Sequence, residues 1–182
     1  MERVIQPVEK KHLLPTLELV EDVFTRHDCA GEGRMVRRLV EEIRAKRCYV
    51  PQLDLMMADG SGTVIGYAMF SRFPIEGKYE DELLLLSPVA VKTQLQRRHI
   101  SKELLEYGFA EAKALGFKAV LVEGDPRNYA SRGFQAGWRF GITAGPHVEL
   151  PSPDCLMVKE LEPGGLEKMS GLVDFSFYEA LR

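Results

Sequence analysis

Apolar residues recur at helical spacing in two successive segments near the start of the chain. In HLLPTLELVEDVFTR (12–26) they fall three or four positions apart, and RMVRRLVEEIRAK (34–46) repeats the pattern. Such spacing places apolar side chains on one face of a helix. The polar stretch HDCAGEG separates the two segments. The sequence therefore predicts two consecutive amphipathic helices.

Strand-like runs precede and follow these helices. RVIQPV predicts a short first strand, and the segments 49–59 and 63–73, joined by the turn DGSG, predict an antiparallel hairpin. ELLLLSPVAV (82–91) is apolar on both faces, as in a central strand covered on both sides. A helix from about 101 to 115 and the apolar run KAVLVEGD follow. This strand–helix–strand unit predicts two parallel neighbours joined by a right-handed crossover.

The last third of the chain predicts shorter elements. PRNYASRGFQAG permits only a short helix, WRFGI and CLMVKEL predict strands, and GLVDFSF predicts an edge strand after the turn EPGG. Phe134 and Trp138 are expected in the core. The predicted fold class is α+β, in one domain spanning 1–182: a mixed, mostly antiparallel sheet whose central neighbours are parallel, with helices on both faces.

Composition excludes several classes of protein. The formal charge of -3 and the pI near 5.9 offer no general attraction to nucleic acid. No apolar run approaches the roughly 20 residues of a membrane span, and MERVIQPVEK lacks the apolar stretch of a signal peptide, so we expect a cytoplasmic protein without a membrane partner. Cys29, Cys48 and Cys155 are widely spaced and are expected as free thiols. Because adjacent residues present ligands poorly, RHDC (26–29) predicts no metal site.

The first candidate site is the polar segment before the helix expected at 101. Cations there oppose the helix dipole, and a bound anion, above all a phosphate, would explain them. Alternatively, the helix begins at Thr93, with Thr93 and Gln96 forming a capping box and the arginines in solvent. Both interpretations fit the residues. The cations are Lys92, Arg97, Arg98, His99 and Lys102.

The second candidate site is Tyr129, which follows the second of the two predicted parallel strands. The carboxyl ends of such strands face a ligand crevice. A tyrosine hydroxyl, whose pKa is normally about 10, can donate a proton to a thiolate or alkoxide leaving group. The alternative is an amphipathic aromatic residue packed at the edge of the domain.

The chain as a whole resembles the GCN5-related N-acetyltransferase (GNAT) superfamily, most closely its YhbS-like bacterial branch. The resemblance implies the GNAT fold, with the sheet splayed at its parallel pair, and transfer of an acetyl group from acetyl-CoA to a primary amine, small-molecule or protein. It implies no metal. It is carried by DGSGTVIGYAMFS, by LLLLSPVAVKTQLQRRHISKELLEYGFAEAKALGFKAVLVEGDPRNYASRGF and by LMVKELEPGGLEKMSG.

The resemblance also implies roles for particular residues. The pantetheine arm of CoA would follow 89–91 by main-chain hydrogen bonds, and the pyrophosphate-loop pattern Q/R-x-x-G-x-G/A falls on 96–101. Tyr129 would protonate the departing CoA thiolate. The residues expected to bind the cofactor are Val89, Ala90, Val91, Gln96, Arg97, Arg98, His99, Ile100, Ser101, Lys102 and Asn128.

Two positions of this loop depart from the family pattern. Ser101 replaces the last Gly or Ala, a mild change because serine is small and a good N-cap. His99 replaces a glycine, which permits close backbone approach and unusual dihedral angles. The imidazole of His99 either rotates outward or closes the site.

Catalysis also needs a base, because an amine with a pKa of about 10 is mostly protonated at neutral pH. Asp81, Glu82 and Glu123 are candidates by position, and the acceptor is expected over residues 25–34. The alternative hypothesis is a domain that kept the fold but lost efficient catalysis, acting as a CoA-binding, small-ligand or interaction module. His99 favours that alternative and Tyr129 opposes it. A homodimer through the C-terminal edge strand is a further hypothesis.

Overall fold

The computed structural model describes residues 2–182. Its four helices are α1 (Leu13–His27), α2 (Ala30–Ala45), α3 (Ile100–Ala114) and the single turn α4 (Pro126–Tyr129). Its strands are β1 (Arg3–Pro7), β2 (Asp54–Asp59), β3 (Val64–Arg72), β4 (Leu83–Val91), β5 (Ala119–Glu123), β6 (Gln135–Ala136), β7 (Ile142–Ala144), β8 (Leu156–Glu160) and β9 (Gly171–Val173).

Seven strands form one mixed sheet in the order β1-β2-β3-β4-β5-β8-β6. The pair β4–β5 is parallel, whereas the other neighbours in this sheet are antiparallel. Side chains alternate between the faces of a strand. Met56 accordingly packs in one core with Val20 of α1 and Val40 of α2, and Leu55 packs in the other with Leu104 of α3. The predicted α+β class is confirmed, with helices on both faces.

The hairpin of α1 and α2 is tighter than the sequence predicted. The predicted break of seven residues is reduced to Asp28 and Cys29, so α2 begins at Ala30. A Cβ atom at Gly33 would lie 2.5 Å from the carbonyl oxygen of Glu21 on α1. The helices therefore approach closely because position 33 has no side chain.

The segment after 137 departs most from the prediction. The strand expected at 138–142 is a 3₁₀ turn at Gly137–Phe140, and pairing begins only at Ile142. The expected edge strand is shortened to β9, which joins β7 in a small separate parallel sheet. Phe134 is buried as predicted, but Trp138 is 50% exposed. The indole N–H of Trp138 donates to Asp154 Oδ1 at 2.8 Å, a polar partner that the core would not provide.

A buried ion pair ties the helical hairpin to the sheet. Arg44 Nε of α2 lies 2.9 Å from Asp54 Oδ2, and the Asp54 side chain is fully buried. The hydroxyls of Tyr67 and Tyr49 donate to the same carboxylate at 2.6 and 3.0 Å. Arg44 Nη2 also donates to Thr16 Oγ1 of α1 at 3.0 Å. Both helices are thus anchored at the start of β2.

The closing segment, residues 174–182, packs against α2. The carboxylate of Glu42 accepts hydrogen bonds from the backbone N–H groups of Glu179 and Ala180, both at 2.8 Å. Tyr178 is fully buried, and its hydroxyl lies 3.0 Å from Ser71 Oγ on β3. The segment is therefore held by the helix below it and by the sheet. No helix within residues 2–182 is both long and apolar enough to cross a lipid bilayer.

Candidate active site

β4 and β5 separate towards their carboxyl ends. They pair only as far as Leu85 and Leu121. Beyond that point β4 stays paired with β3, but a bulge admits two residues of β4, Ser87 and Pro88, opposite one residue of β3. A bulge bends its strand, and proline has no N–H to offer a neighbour. The β5-facing edge of residues 86–91 is therefore free of strand pairing, as the resemblance implied.

The segment between β4 and α3 contains two residues in the left-handed conformation. Arg97 has a φ of 62° and His99 a φ of 63°. A 3₁₀ turn covers Thr93–Leu95, and α3 begins at Ile100 with His99 as its N-cap. The alternative of a helix starting at Thr93 is therefore wrong. The expectation that Ser101 is the N-cap is also wrong.

The left-handed backbone at His99 is the conformation that glycine adopts at no steric cost. The backbone of His99 thus adopts a conformation open to a glycine at this position, and its imidazole is exposed to solvent. The first amides of α3 have no acceptor within the helix, so they remain available to an anion. The exposed side chains at this helix start are basic: Arg97, Arg98, His99 and Lys102.

Distant residues hold the loop in place. Arg3 Nη1 of β1 donates to the carbonyl oxygen of Arg98 at 3.2 Å and to Glu103 Oε1 at 2.8 Å. Arg132 Nη2 donates to Ser101 Oγ at 2.9 Å, and its Nη1 also donates to the carbonyl oxygen of Asn128. Sequence reasoning missed Arg3 and Arg132, because these contacts join segments far apart in the chain.

The other predicted cofactor residues lie on β4 or between β4 and the first turn of α3. Val89, Ala90 and Val91 lie on the unpaired edge of β4, and Gln96 Nε2 donates to the carbonyl oxygen of Val91 at 3.4 Å. The side chains of Ala90 and Ile100 are buried. These two residues therefore offer a ligand their main-chain groups only.

Tyr129 stands at the end of α4, beside the gap between β4 and β5. Its ring lies so close to Gly124 that a Cβ atom there would come within 2.6 Å of Cε2. Phe134 packs edge-on against it with 5.5 Å between ring centroids. Burial raises the pKa of Tyr129, and the guanidinium of Arg132 offsets this in part. The hydroxyl is therefore protonated at neutral pH and can act as a donor.

A cavity of about 190 Å³ opens at the carboxyl ends of β4 and β5. Its polar lining residues are Ser87 of β4, Glu123 at the end of β5 and Glu32 in the first turn of α2. The side chain of Glu123 is partly accessible to solvent, but burial of its carboxyl, followed by the charge of Glu32, raises the pKa of this group. The remaining lining residues are Phe24, Met35, Val36, Leu39, Leu85, Leu86, Phe175 and Leu181.

The other two carboxylates considered as bases lie elsewhere. Asp81 and Glu82 precede β4 at its opposite end, where they pair with Arg72 at 2.6 Å and Lys118 at 2.5 Å. Of the three candidates, Glu123 alone lines the cavity. Within residues 2–182, no group of three or more His, Cys, Asp or Glu is placed to hold a metal ion.

The separated parallel pair, the basic helix start and Tyr129 after β5 are the features from which the resemblance predicted a site. The model of the acetyltransferase (GNAT) family matches residues 18–137, more than half of the chain. The chain therefore belongs to the GNAT acetyltransferase family.

The chain is also similar in sequence to curated relatives and in fold to solved structures. Uncharacterized N-acetyltransferase YhbS of Escherichia coli (strain K12) is 27% identical over 128 residues, which are 68% of this chain and 71% of the relative. The crystal structure of E. coli YhbS in complex with CoA matches with a TM-score of 0.82 at 22% identity, covering 100% of this chain and 92% of that one. A GNAT acetyltransferase from Brucella melitensis in complex with acetyl-CoA matches with a TM-score of 0.72 at 19% identity, covering 97% and 99%.

Proposed function

We propose that the protein transfers the acetyl group of acetyl-CoA to a primary amine, which attacks directly while both substrates are bound. The observation that carries this proposal is the gap between β4 and β5. An unpaired main-chain edge runs along it, a basic helix start follows β4, and Glu123 ends β5 while Tyr129 ends the following α4. The CoA and acetyl-CoA bound to the two similar crystal structures support acetyl-CoA as the donor.

In this proposal the donor occupies the gap as an additional strand. Residues 89–91 bind its pantetheine arm by main-chain hydrogen bonds, as extended ligands bind free sheet edges. The amides of residues 99–102 and the cations of Arg97, Arg98 and Lys102 bind the pyrophosphate. Asn128, joined to Ser101 through Arg132, borders the same ligand from the side of β5.

Glu123 is the proposed general base. It takes a proton from the acceptor ammonium, directly or through one water molecule. A base works best when its pKa lies near the working pH, so the raised pKa of Glu123 suits this role. Main-chain amides near Val91 stabilise the negative charge that develops on the carbonyl oxygen.

Tyr129 is the proposed acid. The amine nitrogen bonds to the acetyl carbonyl carbon, the carbon–sulfur bond breaks, and its electron pair leaves with sulfur. The hydroxyl of Tyr129 gives sulfur a proton and is reprotonated from the second proton that the amine nitrogen loses. An ammonium and a thioester thus become an amide, a thiol and one released proton.

Thermal unfolding with acetyl-CoA tests the proposal. Ligand at 100 times its dissociation constant should add about 2.7 kcal/mol to the free energy of unfolding. The measurement compares unfolding with and without the cofactor, with adenosine as a control ligand that lacks the pyrophosphate and pantetheine. An unchanged unfolding temperature at millimolar acetyl-CoA would contradict the enzyme proposal and favour a non-catalytic module.

Substitutions of His99 separate its backbone conformation from its side chain. His99→Gly keeps the left-handed conformation, so the dissociation constant for acetyl-CoA should stay within about threefold. His99→Val should weaken binding several-fold, because a β-branched residue adopts the left-handed conformation less readily than histidine does. Calorimetry measures both. Binding that becomes much tighter in His99→Gly would show instead that the imidazole obstructs the loop.

Tyr129→Phe should lower kcat by about 10²–10⁴-fold, because the departing thiolate loses its proton donor. Acetyl-CoA should bind to the variant as to the parent protein. Tyr107→Phe, on α3 and outside the gap, is the matched control. Release of free thiol during turnover measures the rate. Undiminished turnover by Tyr129→Phe would remove this tyrosine from the acid role.

A further inference from the structure

The cavity beside Glu123 also limits which amines fit. It is lined by β4 and β5, by the hairpin of α1 and α2, and by Phe175 and Leu181 of the closing segment. Its volume of about 190 Å³ is below the roughly 300–1,000 Å³ of pockets for drug-sized ligands, so it favours a short alkyl chain or a single ring.

The charge of the lining is negative. Glu32 and Glu123 contribute two carboxylates, and no Lys, Arg or His is among the residues that line the cavity in the described chain. Neither carboxylate has an ion-pair partner within residues 2–182. A cationic group on a ligand in this cavity is therefore stabilised by two carboxylates. A carboxylate on the ligand would instead be repelled by them and would have no counter-ion.

The rest of the lining is apolar, apart from Ser87. Glu32 and Glu123 line the same cavity, so an ammonium that enters it can face both carboxylates. A second ammonium further along the ligand would lie among side chains such as Phe24, Met35 and Phe175. Burying an unpaired charge against such a surface is costly.

We propose that the acceptor is a small primary monoamine with an apolar alkyl or aryl body and no carboxylate, whose ammonium is held between Glu32 and Glu123. This inference rests on the proposed acetyl-transfer function and names its substrate class. Glu32 positions the ammonium, and Glu123 takes its proton. The closing segment sets the length of the body that fits.

Matched pairs of amines test this assignment on the full chain with saturating acetyl-CoA, with each N-acetyl product quantified by mass spectrometry. 2-Phenylethylamine and phenylalanine differ by one carboxylate, and pentylamine and 1,5-diaminopentane differ by one amine. The monoamine of each pair should have a kcat/KM at least about tenfold higher, equivalent to about 1.4 kcal/mol. A peptide with a free N-terminal amine serves as the protein-like acceptor and should be a poorer substrate than either monoamine.

Two variants locate the selectivity. Glu32→Gln should raise KM for 2-phenylethylamine more than it lowers kcat, and should reduce the preference over phenylalanine. Leu181→Trp, which fills the cavity from the closing segment, should lower the ratio of kcat/KM for 2-phenylethylamine to that for methylamine. Leu115→Trp, at an exposed position after α3, should leave this ratio unchanged. The unfolding temperature and the stabilisation by acetyl-CoA confirm that each variant is folded.

The outcomes are distinguishable. If acetyl-CoA stabilises the protein but phenylalanine, the diamine or the peptide is preferred, the assignment of the acceptor is overturned and acetyl transfer stands. If acetyl-CoA stabilises the protein and none of these amines is acetylated, the assignment is overturned as well. If acetyl-CoA does not stabilise the protein, the proposed function fails, and the assignment fails with it.

Discussion

Glu123→Gln is expected to lower kcat by about 10²–10⁴-fold at neutral pH, because the acceptor ammonium loses the base that deprotonates it. In the parent protein, kcat/KM should fall as the pH drops through the raised pKa of Glu123. The variant should lack this acidic limb. Steady-state kinetics between pH 4 and pH 9, with thiol release as the signal, measure both effects. A variant with parental turnover would exclude Glu123 as the base.

The same substitution should raise the unfolding temperature at pH 7. Burial raises the pKa of Glu123 in the folded state. The contribution of Glu123 to the free energy of unfolding is therefore fully present below the unfolded-state pKa, and it is lost as the pH rises through the folded-state pKa. A glutamine cannot ionise and avoids that loss. The increase in unfolding temperature should become smaller below the pKa of Glu123 in the unfolded state, near pH 4. Glu18→Gln, at an exposed position of α1, provides the control and should show little change.

The largest effect on stability is expected for Asp54→Ala, at about 3–5 kcal/mol in the free energy of unfolding. The substitution leaves Arg44, whose side chain is only 12% exposed, without its counter-ion. It also leaves the hydroxyls of Tyr49 and Tyr67 without the carboxylate that accepts their hydrogen bonds. Such a loss is a large share of the 5–15 kcal/mol typical of a folded domain. Denaturant unfolding measures it.

Asp81→Ala is the matched control for this prediction. Asp81 also pairs with an arginine, Arg72 at 2.6 Å, but its side chain is 91% exposed. Exposed ion pairs contribute about 0–1 kcal/mol, so the control should change stability by less than that. An equal decrease in the free energy of unfolding in both variants would show that the buried network of Asp54 contributes no more to stability than an exposed ion pair.

The main sheet was predictable because its signals are local. The run 82–91 is apolar on both faces, and burial between two helical layers requires that pattern. The segment after 137 was not predictable, because its short strands pair with distant residues. Trp138 shows the difficulty: an aromatic residue in a brief strand pattern favours the core, but its indole found a partner at Asp154 on the surface.

The site was predictable where it follows a chain motif and not where it depends on tertiary packing. The loop 96–101 and Tyr129 came from the family resemblance, and Glu123 from its place after a strand. Glu32 was missed because its place in the cavity beside Glu123 depends on how the helical hairpin packs on the sheet. An acidic residue in the first turn of a helix, within the region expected to hold the acceptor, was the available signal.

The closing segment has a consequence for how this protein can diverge. It supplies Phe175 and Leu181 to the acceptor cavity, whereas the residues proposed to bind the donor lie between 89 and 128. It is anchored through its backbone amides to Glu42 and through the hydroxyl of Tyr178 to Ser71. The side chains at 175 and 181 can therefore change during evolution while selection maintains the residues that anchor the segment and those proposed to bind the donor. Related chains that keep Glu123 and Tyr129 would then differ in the acceptor amine that they bind only because their closing segments differ.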